Sequence, residues 1–238
     1  MRTIDPKTGK RLVETDPETI KSMKKNDPVR KMGDKDFEHI ENSPMDPPEA
    51  YRLASPDFDL SEHAILQLFR AEHQIALQEI QLFELAIRNF KELGYHFDKE
   101  INQAFGKFFE FFDNKILLHN LKEEKSIFPA LHKKLIETGE HSHSNPPRTG
   151  IDLLEDDHVK FIQLGALVFN LLGLGTRIPD PSSRMIVFEQ AFSSGWELIE
   201  LLRLHIFRED NHIFPQAAKL LSSKELDFHF SELGKLPI

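Results

Sequence analysis

Two stretches of thirteen residues constrain this chain more than anything else in it. They are His119-Asn-Leu-Lys-Glu123-Glu-Lys-Ser-Ile127-Phe128-Pro129-Ala-Leu131 and His205-Ile-Phe-Arg-Glu209-Asp-Asn-His-Ile213-Phe214-Pro215-Gln-Ala217. Each holds HxxxE followed by Ile-Phe-Pro, and matching positions lie 86 apart (119 and 205, 123 and 209, 129 and 215). In a helix, residues four apart stand one above the other, so each stretch presents an imidazole and a carboxylate to one point in space. Two such helices facing each other predict a metal site.

The rest of the chain supplies partners for them. Leu66, Phe69, His73, Leu77, Ile80 and Ile87 fall on one helical stripe, in a helix starting at Asp59 or Ser61 and ending near Leu93-Gly94. A second helix follows Asp98, with Phe105, Phe108, Phe112, Ile116, His119 and Glu123 on its inner face. Residues 138–149, with Gly139, Pro146 and Pro147 and with Gly150 just after, form a loop. The third helix carries Leu154, His158, Phe161, Ile162, Gly165 and Phe169 inward and stops at Gly173-Leu-Gly175. After a loop at 176–183 with Pro179 and Pro181, the fourth carries Leu198, Leu201, Leu202, His205, Glu209 and Ile213. Pro129 and Pro215 are expected to bend or end the second and fourth helices, and Ser222 or Ser223 to cap a short C-terminal helix.

No segment alternates with period two, so the expected fold is all-α, an antiparallel up-down four-helix bundle. Residues 1–58 are rich in proline and mixed charge and poor in apolar residues, and read as a largely disordered N-terminal arm; 59–238 form the domain. A formal charge of −9 argues against nucleic acid or an anionic membrane as partner. No apolar leader and no run of spanning length are read in the sequence, so a cytoplasmic location is expected. With no cysteine in the chain, only His, Asp and Glu remain as metal ligands.

His73 and His158 extend the repeat at an offset of 85, so each half reads as a lone His, then HxxxE about 46 residues later. His73, His119, Glu123, His158, His205 and Glu209 are therefore the candidate ligands. A carboxylate on an apolar face costs several kcal/mol unless it is paired or metal-bound. Two bridging glutamates with two histidines per ion would hold two metal ions, leaving positions for an oxo or hydroxo bridge and an exogenous ligand. This donor set suits non-haem iron, with manganese or zinc possible. The neighbouring acids Glu72, Glu124, Asp157 and Asp210 are expected to face solvent or a neighbouring helix and are left out of the site.

The order His, HxxxE, His, HxxxE with its two Ile-Phe-Pro sequels resembles the hemerythrin family of HHE cation-binding domains over roughly 59–221. The resemblance implies an up-down bundle around a non-haem diiron site with those six ligands. Oxygen carriers of the family have a second ligand His on the third helix, where Ile162 stands here, and a last carboxylate at the spacing of Asp210. Glu209 is preferred as the mate of Glu123. The missing His argues against reversible oxygen carriage. The six-ligand pattern resembles bacterial members linked to iron handling, nitric-oxide stress or redox sensing; some of these repair iron centres and carry a Cys-containing N-terminal domain, whereas this chain has no Cys. The expectation is a protein that binds oxygen or nitric oxide, or senses iron or donates it to an acceptor protein, and not an enzyme. A ferroxidase-type diiron enzyme and a protein-interaction bundle with a structural metal site are the alternatives.

Overall fold

A computed structural model describes residues 62–235. The proposed arm at 1–58 lies outside them. All regular structure among the described residues is helical. Helix α1 spans Ala64–Glu92, α2 Lys99–Phe111, α3 Leu117–Lys125, α4 Ile127–Thr138, α5 Gly150–Gly175, α6 Pro181–Arg208, α7 Phe214–Leu220 and α8 Ser223–Leu233. In the segment 142–147 the Ser144 hydroxyl donates to the Pro146 carbonyl at 2.8 Å.

The ends follow capping chemistry. Asp98 accepts from the Ile101 N–H, Asp180 from Ser183 with Pro181 at the first helical position, and Thr149 and Ser222 form capping boxes with Asp152 and Glu225. After α1 the chain turns through Gly94 and Tyr95, both at positive φ.

The second helix of the sequence reading is not one helix. A π-helical turn, Phe112–Ile116, joins α2 to α3, and a break at Ser126 separates α3 from α4. A second π turn, Glu209–Ile213, joins α6 to α7. Pro129 and Pro215 sit in the first turns of α4 and α7, where a missing N–H leaves no intrahelical bond unmade. They mark a restart, not an end.

Two apolar clusters make the core. One contains Phe83, Phe90, Phe108, Phe161, Val168 and Phe188; the other contains Phe69, Phe128, Leu131, Leu154 and Phe214. Each burial removes a large side chain from water and contributes about 2–3 kcal/mol before entropy is counted. Helices α5 and α6 approach closely where Gly175 lies under the Phe188 ring, and α6 approaches α1 where Gly195 lies under Ile87. The four histidines lie between the clusters: His73 between Phe69 and Ala76, His119 between Ile116 and Ile127, His158 between Leu154 and Phe161, His205 between Leu202 and Ile213.

Two expectations for the third helix need correction. Ile162 and Phe169 do not face inward but are 52% and 60% exposed. The residue directed at the imidazoles is Phe161, whose ring lies 6.0 Å from that of His158 and 4.9 Å from that of His205. In addition, α5 is long and apolar enough, by length and composition, to cross a membrane, contrary to the reading that no run reaches that length. One side of this helix carries buried Asp157 and His158, so its apolarity includes a core face.

Candidate metal centre

His73, His119, Glu123 and Glu209 form one buried group, and Glu123, His158, His205 and Glu209 another; within each group, one ligand atom per residue lies within 4.8 Å of the others. All six residues singled out in the sequence are thus brought together, with both glutamates common to the two groups. Glu209 Oε2 lies 3.1 Å from His73 Nε2, and its Oε1 3.0 Å from His205 Nε2. Glu123 Oε1 lies 3.3 Å from His119 Nε2, and its Oε2 3.7 Å from His158 Nε2. Each carboxylate offers one oxygen to each histidine pair.

These contacts are near, yet none of the four carboxylate oxygens has a hydrogen-bond partner of proper geometry, although both side chains are fully buried. Oxygen and nitrogen converge on common points and not on each other. The imidazoles pair at hydrogen-bond distance, with Nε2 atoms 2.9 Å apart for His73 and His119 and 3.1 Å for His158 and His205. Two nitrogens each about 2.1 Å from one ion stand ~3.0 Å apart at a right angle and ~3.4 Å apart at the tetrahedral angle. The observed separations are those at which two nitrogens can share one ion, so the residues fit a metal ion.

Each of the four histidines of the cluster is oriented from behind by an acid on another helical segment. His119 Nδ1 meets Glu72 at 2.7 Å, His158 Nδ1 meets Glu124 at 2.7 Å, His73 Nδ1 meets Asp210 at 2.9 Å, and His205 Nδ1 meets Asp157 at 3.4 Å. A proton held on Nδ1 by these acids leaves the Nε2 lone pair turned inward. Cations restrain three of the acids: Lys122 donates to Glu72, Arg208 to Asp157 at 3.1 Å, and Arg70 lies 3.2 Å from Asp210. Phe214 stacks on His73 and Phe128 on His158, with interplanar angles of 10° and 12°.

These four acids are what the sequence reading missed. A residue beside a ligand on a helix points about 100° away, which in a packed interior aims it at the neighbouring helix and its imidazole. The signal was the repeated dyads Glu72-His73, Asp157-His158, Glu123-Glu124 and Glu209-Asp210. Asp210, the alternative to Glu209, belongs to this outer set: it bonds His73 from behind, while Glu209 lies in the inner cluster.

The charge balance favours cations. Burial opposes a charge on His73, but Asp210 and Glu209 outweigh it and push its pKa up to about 10. Burial is likewise outweighed at His205, where Glu209 and Asp157 push the pKa up to about 9, and at His119, raised by Glu123 and Glu72. At His158, burial and the charge of His205 win and the pKa is lowered. Burial would raise Glu72, yet His119 and Lys122 hold it down at about 2. The cluster's carboxylates demand positive charge, from protons on the imidazoles or from metal ions.

A cavity of about 220 Å³ reaches the centre from the surface between α1 and the α2–α3 segment. His73, His119 and His205 are at its inner end; Ala76, Ile80, Phe161, Leu202 and Ile206 line its walls.

A helical fold whose interior gathers four imidazoles and two carboxylates belongs to the class of helical proteins with a His/Glu cluster suited to binding metal. The family model described as hemerythrin HHE cation binding domain matches residues 64–217, and the chain belongs to the hemerythrin family. No curated protein and no solved structure is significantly similar to it.

Proposed function

We propose that the chain is a non-haem diiron protein whose metal ligands are His73, His119, Glu123, His158, His205 and Glu209. The observation that carries this is the pair of fully buried glutamates, each with one oxygen toward each histidine pair and none with a hydrogen-bond partner. Two irons would supply redox-active cations with coordination positions open to oxygen or nitric oxide. The protein's own part is to hold and orient. Glu72, Glu124, Asp157 and Asp210 fix the imidazole tautomers, and the stacked rings of Phe128 and Phe214 keep water from the back of the site.

The up-down four-helix arrangement is part of this reading. Its support is the order of the apolar clusters along the chain: α1 runs from the Phe69 cluster to the Phe83 cluster, α2–α3 back, α5 forward and α6 back again. The domain spans 59–238, with 1–58 as an arm, and acts in the cytoplasm. Its role is to bind oxygen or nitric oxide, or to sense or donate iron. Anaerobic loading with ferrous iron, followed by air, tests the reading. Two irons per chain with near-ultraviolet absorption of a bridged ferric pair are expected; a protein that retains no iron overturns it.

A further inference from the structure

Asn120 stands beside a ligand but does something the metal layer does not need. Its side chain is 5% exposed, its Nδ2 has no hydrogen-bond partner, and it lines the cavity that leads to His73 and His119. A buried amide donor left unpaired is costly, and the repeat isolates this residue further. The two halves hold the same metal-ligand types, yet the mate of Asn120, 86 residues on, is Ile206. Ala76, which lines the same cavity, has as its mate Phe161, 85 residues on. Where one half has bulk and an apolar side chain, the other has space and a donor.

The size of the space separates possible occupants. An apolar cavity of about 150 Å³ is large enough to hold benzene, whereas a diatomic gas needs only a fraction of that. At about 220 Å³, walled by Ala76, Ile80, Phe161, Leu202 and Ile206, the cavity has room for a single aromatic ring with a short substituent. The π turn at Phe112–Ile116 lies in the same wall, through Ile116, and such turns recur where helices are shaped around ligands. Lys115 and Ile75 are at the surface end, both exposed, so access requires no helix to move.

We propose that this cavity binds a small organic carbonyl compound with an apolar, ring-sized body, its oxygen accepting from Asn120 Nδ2 and its body resting on Ala76, Phe161 and Ile206 beside the metal centre. The site does not depend on the identity of the metal.

Acetophenone and ethylbenzene, alike in shape but differing in the acceptor oxygen, are the probes. Their binding to the full-length protein is measured by calorimetry with metal present and with metal chelated. Wild type binds both. Asn120→Leu weakens acetophenone about tenfold, as loss of one buried hydrogen bond does, and leaves ethylbenzene unchanged or tighter. Ala76→Phe, which gives this half the side chain of the other, abolishes both; if it does not fold by circular dichroism, Ala76→Val must weaken both. Failure of wild type to bind either probe overturns the cavity as an organic site. An equal effect of Asn120→Leu on the two probes overturns the role of the amide, and binding unchanged by filling at Ala76 places the probe elsewhere and overturns the assignment. Iron retention is measured on the same samples, so loss of probe binding with iron retained is distinct from failure of the metal centre.

Discussion

Replacing Asp210 by Asn separates orientation of an imidazole from ligation by it. The Asp210 carboxylate accepts from His73 Nδ1 at 2.9 Å, lies 3.2 Å from the Arg70 guanidinium, and its side chain is only 5% exposed. Asparagine preserves shape and an acceptor oxygen but removes the charge that makes the bond strong. Loss of such an outer partner lowers metal affinity about 10- to 100-fold, which is ~1.4–2.7 kcal/mol. Glu124 provides the internal control. It makes the equivalent bond to His158 at 2.7 Å, but its side chain is 35% exposed and solvent screens its charge. Glu124→Gln is therefore expected to lose less than about tenfold. Anaerobic competition against a ferrous chelator gives both affinities, with urea unfolding of the chelated proteins run alongside. Wild-type affinity in Asp210→Asn, or a larger loss in Glu124→Gln, refutes the reasoning that buried outer acids tune the site.

His119→Ala should lower bound iron per chain while circular dichroism stays helical, because the ring is replaced in a layer flanked by two intact apolar clusters; unfolding would instead make the ring a core element. Gly175→Ala should destabilise by about 1–3 kcal/mol in urea, since its Cβ would lie 2.1 Å from the buried Phe188 ring. Gly195→Ala should cost less, as its Cβ meets the movable Cδ1 of Ile87 at 2.3 Å. For the chelated protein, His73 and His205 have folded pKa values of about 10 and about 9 against an ordinary 6.5. Their stabilisation is complete below pH 6.5 and is lost as pH rises through those values, so the urea midpoint should fall between pH 7 and 10. Iron-loaded protein should resist that fall, because the cations replace the protons; identical pH profiles with and without iron contradict this.

The residues that could be found in the sequence were those on a period. His73, His119, Glu123, His158, His205 and Glu209 lie on stripes with Phe69, Ile116 and Leu202, and the repeat doubled a weak signal into a strong one. What escaped was set by neighbours. Ile162 fits the same stripe as His158 and Phe161 to within the width of an apolar face, and only the packing of α5 against α6 turns it outward. The break at Ser126 and the two π turns follow no motif that periodicity detects; the break at Ser126 and the turn at Glu209–Ile213 lie just before Pro129 and Pro215, while the turn at Phe112–Ile116 has no proline near it. Glu72, Glu124, Asp157 and Asp210 were visible as acids but not as partners, since their imidazoles lie on other helices, between 34 and 137 residues away.

The repeat explains why the inner cluster is nearly symmetric, and its departures show where the two halves differ. Lys122 and Arg208 are mates and do the same thing, each donating to the acid behind a histidine. Arg70 and its mate Glu155 do not. Arg70 neutralises Asp210, whereas burial and the charge of Glu124 raise the pKa of Glu155. The His158 side therefore has an acid behind it with a like charge nearby, and the His73 side has one held by a buried guanidinium. On the inner side the difference continues, with Ala76 and Asn120 in one half against Phe161 and Ile206 in the other. A chain selected only to hold two ions would have no need to differ at these positions. Space and a free donor fall beside His73 and His119, at the inner end of a cavity that His205 lines with them, and they give that side of the centre room for a guest.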